Sequence, residues 1–319
     1  MNLFGDDDWD SLNDPDVAAI AGAGGDPYAA VRHKAQVLLD RLAEFPTETA
    51  TPFERIKSLA SLAGYTVRPC DGSMSEKGRA AMFIPNGSPG TRGQIIYDPT
   101  LPMGRVIFSI GHEISHSFFP NSNAGVQFRS VHPTGSKRGR QLEMLCEYGA
   151  SLLVMPEREF LKAVERYGFG FAQVELIRDQ FWTSFEATTY RLADLADFSV
   201  AAIKFKYRLA KKDMNTRPSY GNLFPMPDPA VVHPRYRVQS SRRSQTFDVL
   251  IPYNKSVPET SCIYRAGRTA GIQSGFETVA FSGKRERASR VEAVQAPYQP
   301  PGADPTHPDI LAFFYLLQV

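Results

Sequence analysis

The chain has 319 residues, 42% of them hydrophobic and 22% charged, with a net charge of +2, which excludes neither a sizeable core nor two or three domains but does exclude bulk electrostatic attraction to nucleic acid or membrane. Three scattered cysteines, Cys70, Cys146 and Cys262, argue against a disulfide framework and for a reducing compartment. With no secretory h-region and no apolar run of roughly 18–20 residues, the expected location is the cytoplasm, without membrane contact.

Residues 1–26 carry Asp6, Asp7, Asp8, Asp10, Asp14, Asp16 and Asp26, no Lys or Arg, and a Gly-Ala run from Ala21 to Gly25. Such a segment cannot bury enough surface to offset the entropy of ordering, and an acidic, disordered tail over 1–27 is expected. From Tyr28, residues Val31, Ala35, Leu38, Leu39 and Leu42 fall at helical spacing up to Pro46. Thr51 reads as the N-cap of a second helix, with Pro52 at its first position and Gly64 at its end. Short strands follow at Arg79–Ile84 and Gln94–Tyr97, separated by Asn86-Gly87 and a Pro-Gly turn. This lead-in suits a small zincin-like α+β domain, in which Gln94–Tyr97 is expected as an edge strand beside the cleft that takes substrate in extended form.

The stretch Ile110-Gly111-His112-Glu113-Ile114-Ser115-His116 reads His-Glu-x-x-His inside an apolar periodic segment. Residues four apart share a helix face, so His112 and His116 can present two imidazoles to one metal ion with Glu113 beside it. Ile107, Ile110, Ile114 and Phe118 form a separate apolar stripe that buries the helix and turns the histidines elsewhere. Neutral imidazoles hold Zn2+ at about 2.0–2.1 Å, while a carboxylate that is not a ligand accepts the proton of a water. A catalytic site then needs a third protein ligand.

Asn121–Arg140 is a polar segment with Arg129, His132, Lys137, Arg138 and Arg140. A long loop of this kind suits a lid, a substrate-docking surface or an oxyanion stabiliser, for which His132 is the candidate; a solvent-exposed loop histidine is the plainer reading. Arg138 and Arg140 are candidate contacts for substrate or nucleic acid. The next segment, Gln141 to Pro156, is rich in Leu, Met and Ala and carries Glu143 and Glu147 four apart. Two carboxylates on one face of an apolar helix are costly unless something positive neutralises them. Glu143 is therefore read as the third metal ligand and Glu147 as an acceptor that orients a histidine ring from behind.

Together these segments resemble the ImmA/IrrE metallo-endopeptidases, gluzincin-like proteases of bacterial stress regulators and mobile elements. That family shows Arg-x-x-Phe-Thr-x-Ala-His-Glu-x-x-His, then a helix with Glu, four residues on Asn, Asp or Glu, and an ending like Ala-x-x-Leu-Leu-Met-Pro. Arg105, Phe108, Ser109, Gly111, His112, Glu113 and His116 match the first pattern, and Glu143, Glu147, Ala150, Leu153, Met155 and Pro156 the second. Ser109 stands for Thr, Gly111 for Ala, and Gly149 for the family's usual Phe. The resemblance is specific from Phe53 to Pro156, weaker to Lys212 and architectural beyond.

A helix is expected from Pro156 to Tyr167, ending at Gly168-Phe169-Gly170, then helices Phe171–Phe181 and Phe185–Leu195 joined through Thr183-Ser184. With the basic segment Val200–Leu209 they read as a helix-turn-helix-like unit over 169–212, in which Lys204 and Lys206 could contact phosphates; packing that merely supports the protease is the alternative. Pro218, Pro225, Pro227 and Pro229 mark 213–230 as a linker. Beyond it, 236–238, 246–251, 261–264, 278–282 and 290–294 read as strands and 308–317 as a helix or strand. They make a separate C-terminal α+β domain over 231–319, a sensor or docking domain whose counterpart in some family members is GAF-like.

The residues and the resemblance together imply a zinc-dependent endopeptidase, with Mn2+ as another divalent metal the site could use. From the resemblance comes its substrate: a protein, typically a helix-turn-helix repressor cleaved to derepress stress-response or mobile-element genes. The competing reading is a DNA-binding regulator that keeps the protease fold for sensing or scaffolding.

Overall fold

A computed structural model describes residues 14–22, 25–45, 50–71, 80–85, 92–120, 137–210, 233–279, 286–299 and 304–317. The fold is mixed α and β, as expected, and divides into two compact units: residues up to Gly168 with Glu175–Thr188, and Phe169–Val174 with everything from Thr189 on. No helix among the described residues is long and apolar enough to cross a membrane.

The first unit opens with α1 (Pro15–Ala21), which corrects the expectation of a tail disordered through residue 26. Asp14 accepts from the Asp16 and Val17 backbone N–H groups at 2.9 and 3.4 Å, and Val17 is fully buried. Asp14, counted among the aspartates that looked like disorder, is with Pro15 a start signal for a helix. Residues 1–13 lie outside the described set. Helix α2 (Pro27–Ala43) is capped by Asp26 and buries Val31, Ala35, Leu38 and Leu42. Helix α3 (Pro52–Leu62) starts with a Thr51/Glu54 capping box and turns off at Gly64, whose φ of 90° is the left-handed conformation glycine tolerates.

Strand β1 (Tyr65–Pro69), not anticipated, pairs in parallel with β3 (Gly93–Tyr97), and β2 (Ala81–Pro85) pairs antiparallel with β3, giving the order β1-β3-β2. Gln94–Tyr97 is therefore the central strand rather than an edge. Its backbone groups are used on both sides, so a peptide cannot add there. Then come α4 (Met103–His116), α5 (Lys137–Val154), α6 (Glu157–Tyr167), α7 (Phe171–Phe181) and α8 (Phe185–Leu195). The α7–α8 turn passes through Trp182 at φ 53°, and the Ser184 Oγ accepts from Ala187 N at 3.0 Å. A Cβ at Gly104 would collide with the Trp182 carbonyl, so this turn lies against the start of α4.

The second unit is a five-stranded antiparallel sheet in the order β5-β4-β8-β7-β6, built from β4 (Val200–Arg208), β5 (Arg235–Arg243), β6 (Gln273–Val279), β7 (Arg287–Gln295) and β8 (Ile310–Leu316), with α9 (Cys262–Arg268). The segment after α8 thus enters the sheet instead of extending a helix-turn-helix unit, and the basic residues expected on it stand on a strand. The expected linker 213–230 lies outside the described residues. Two expected strands are absent as such. Residues 246–251 keep the alternation, with Phe247, Val249 and Ile251 buried, but the outer edge of β5 is taken by 254–257. Residues 261–264 begin α9, whose N-cap Ser261 accepts from Ile263 N. The run Ile310–Leu316 is a strand buried on both faces, which is why it shows no alternation. One face of the sheet forms a core of Ile203, Phe205, Tyr236, Val238, Val291 and Phe314 against α9.

Candidate metal centre

Helix α4 places the site because its apolar and polar faces diverge. Val106, Ile107, Ile110 and Ile114 are buried, and α4 packs on α3, α5, β2 and β3. Two small residues let α5 come close. A Cβ at Gly111 would touch Val154 Cγ2 at 3.3 Å and Ala150 Cα at 3.5 Å, and one at Gly149 would lie 2.6 Å from Ser115 Oγ. Ser115 is itself fully buried, its hydroxyl donating to the Gly111 carbonyl at 2.8 Å. Gly149, where the family usually has Phe, is thus the point at which the two metal helices approach.

That approach delivers Glu143 to the histidines. His112 Nε2 and His116 Nε2 are 3.3 Å apart, Glu143 Oε2 is 3.3 Å from His112 Nε2, and Glu143 Oε1 is 3.9 Å from His116 Nε2. All three ligand atoms lie within 4.8 Å of one another. Ligands held about 2.0–2.1 Å from a tetrahedral ion stand about 3.3–3.4 Å from each other; the two 3.3 Å separations match that spacing, and the His116–Glu143 pair is wider at 3.9 Å. The side chains are mostly shielded, with relative exposures of 15% for His112, 9% for His116 and 22% for Glu143. Two imidazoles and one carboxylate are the borderline donor set that zinc takes, and the residues fit the ion.

Glu113 is half-buried beside the ligands, and Glu147 is exposed one turn beyond Glu143. Tyr65, at the start of β1, joins this neighbourhood without any sequence signal. Its hydroxyl hydrogen-bonds the side chains of Arg92 and Ser117 and feels the charge of Glu113. Burial is the largest influence on it and raises its pKa above the usual tyrosine value, so it is a neutral phenol at ordinary pH. Ser117 caps the C-terminus of α4 directly after His116, which ties β1 to the end of the metal helix.

Of the other predicted residues, His132 lies outside the described residues, as do the side chains of Arg138 and Arg140, though their backbone is in α5. Lys204 and Lys206 are on β4, each within 4 Å of Asp309, at 3.6 and 3.7 Å.

The fold and the three converging side chains fit a zincin-like domain with a His/His/Glu group that could hold a metal ion. Residues 67–193 match the model of the Peptidase_M78 family, described as the IrrE N-terminal-like domain. In fold the chain is similar to a Mycobacterium tuberculosis transcriptional regulator, with 14% identity, a TM-score of 0.53, and coverage of 90% of this chain and 88% of that one. No curated protein matches the sequence.

Proposed function

We propose that the chain is a zinc-dependent endopeptidase that cleaves a protein, most specifically a helix-turn-helix repressor of stress-response or mobile-element genes. The observation that carries this reading is the convergence of His112, His116 and Glu143 with Glu113 beside them; the domain match supports a peptidase, and the resemblance alone supplies the class of substrate. His112, His116 and Glu143 would hold the metal, which when bound supplies Lewis acidity to a scissile carbonyl and lowers the pKa of a water. The Glu113 carboxylate takes the proton of that water and returns it to the leaving amine nitrogen. Glu147, on the same helix as Glu143, would orient a ligand ring. The edge of the small sheet beside α4 is β2, antiparallel to β3, and it is the strand on which an extended substrate would add. Mn2+ would suit the same donors less well than Zn2+.

The test is incubation of the purified, metal-analysed protein with a helix-turn-helix repressor, taken from beside its gene where one is encoded there. Zinc-dependent cleavage that a chelator abolishes and added Zn2+ restores is expected. A protein that holds zinc stoichiometrically yet cleaves neither the repressor nor an unfolded substrate would move the reading to a regulator that has kept the fold.

A further inference from the structure

The small net charge conceals a division. From Thr189 to Val319, Lys and Arg number 18 against 11 Asp and Glu, a net of +7, whereas Met1 to Thr188 carries 18 against 23, a net of −5. Charge asymmetry of this size points to a local electrostatic footprint.

The excess is concentrated on the β4–β5 ribbon. Ile203, Phe205, Tyr207, Tyr236 and Val238 turn to the core, so alternation puts Lys204, Lys206 and Arg208 of β4 and Arg235 and Arg237 of β5 on the opposite face. The register sets Lys206 directly across from Arg237, and Arg208 across from Arg235. Like charges in facing positions are destabilising, so two such pairs side by side serve something other than the sheet. The carboxylate that the described ion pairs set among them is that of Asp309, shared by Lys204 and Lys206. The arginines are held by uncharged acceptors. Arg208 donates to Gln239 Oε1 at 2.6 Å and the Val238 carbonyl at 3.1 Å, and Arg237 to the carbonyls of Arg208 and Asn254 at 3.2 and 3.1 Å. These bonds fix the guanidinium groups without neutralising them. Arg208 also lies 4.8 Å over the ring of Tyr253, which is 58% exposed. Fixed, unneutralised guanidinium groups are what a phosphodiester backbone takes.

We propose that the β4–β5 face is a docking surface for duplex DNA, with Lys206, Arg208, Arg235 and Arg237 on the phosphates. The surface is a strand ribbon and owes nothing to a helix-turn-helix unit; its binding does not depend on the metal or on Glu113. In the proposed setting it would bring the peptidase to a repressor that is still on its operator.

The experiment is fluorescence anisotropy of the full chain with a short labelled duplex over a series of NaCl concentrations, with melting curves run on every variant. Four phosphate contacts predict that log K falls against log salt with a slope of roughly −3 to −4. Arg235→Glu and Lys206→Glu should each weaken binding about tenfold and flatten the slope by about 1. Lys162→Glu, an exposed charge on α6, should change neither. If Lys206→Glu melts early because Asp309 loses a partner, Arg235→Glu still decides, since Arg235 is exposed. The proposal is overturned if the wild type shows no salt-dependent binding, if the reversals leave the slope unchanged, or if polyglutamate displaces the duplex at equal charge, which would make an acidic protein the occupant.

Discussion

Gly149→Ala is the substitution that most directly tests how the metal ligands are brought together. The added Cβ would lie 2.6 Å from Ser115 Oγ, 3.0 Å from Ser115 Cβ and 3.3 Å from Val31 Cγ1. Ser115 cannot rotate away freely, because it is fully buried and its hydroxyl is bonded to the Gly111 carbonyl. Helix α5 must therefore retreat from α4. Helix propensity alone would make alanine better than glycine by about 1 kcal/mol, while overpacking a closed core costs about 1–3 kcal/mol. The expected result is a net loss of about 1 kcal/mol, read as a fall of about 2–4 °C in Tm for a unit of this size. Because Glu143 rides on the same helix six residues upstream, and metal sites tolerate only about 0.2 Å of misplacement, zinc affinity should also fall severalfold in a chelator competition. Ser115→Gly removes both colliding atoms, so in that background Gly149→Ala should be tolerated, a coupling that a double-mutant cycle isolates. A Gly149→Ala protein that melts higher than wild type and binds zinc equally well would refute the account of the α4–α5 approach.

Glu143→Gln should lower zinc occupancy, whereas Glu113→Gln should keep the metal and abolish cleavage; equal metal loss in both, by elemental analysis, would overturn the assignment. Tyr65→Phe removes a buried hydroxyl bonded to Arg92 and Ser117, so Tm should drop by the equivalent of about 1–2 kcal/mol and cleavage should slow with zinc content unchanged. The Cys262 thiol is pushed up to about 11, chiefly by burial and then by Glu277; it stays protonated at pH 8, and mass spectrometry after brief native alkylation should find Cys70, the partly exposed cysteine, labelled first. A 1–212 fragment, cut at the compositional boundary, loses both neighbours of β4 and should scatter light more strongly than a 1–195 fragment at equal concentration.

The site was legible wherever its logic is local. His112, Glu113 and His116 lie within one turn and a half of a single helix, so the 3.6-residue period carries their geometry directly. Glu143 was reachable because a carboxylate on an apolar helix demands a positive partner. Tyr65 was not legible: its link to Ser117 and Glu113 spans the small sheet, and nothing near Tyr65 in the sequence signals it. The edge role expected of Gln94–Tyr97 failed for a similar reason. Strand order is a non-local property, and β1, whose Tyr-Thr-Val-Arg-Pro sequence is short and mostly exposed, gave no warning that it would occupy the free side. At α1 the error was one of weighting, since the aspartates that suggest disorder in bulk include Asp14 and Asp26, each of which caps a helix.

The segment Val200–Arg208 shows how a structural reading changes a functional one. Ile203, Phe205 and Tyr207 alternate with Lys204, Lys206 and Arg208, a period of two that belongs to a strand, yet the proline-rich stretch after it assigned the segment to the helices before. On a helix, residues two apart sit about 200° from each other, so Lys206 would point away from Lys204 and Arg208 and the three cations would not make one phosphate-contacting face. On a strand they fall on one face. Pairing with β5 then adds Arg235 and Arg237 at facing positions, and a net charge of +2 for the whole chain coexists with a patch of five cations, Lys204, Lys206, Arg208, Arg235 and Arg237, around the carboxylate of Asp309. The same alternation that buries Phe205 and Tyr207 in the core therefore builds the basic face, and neither can be altered by a one-residue shift of register without losing the other.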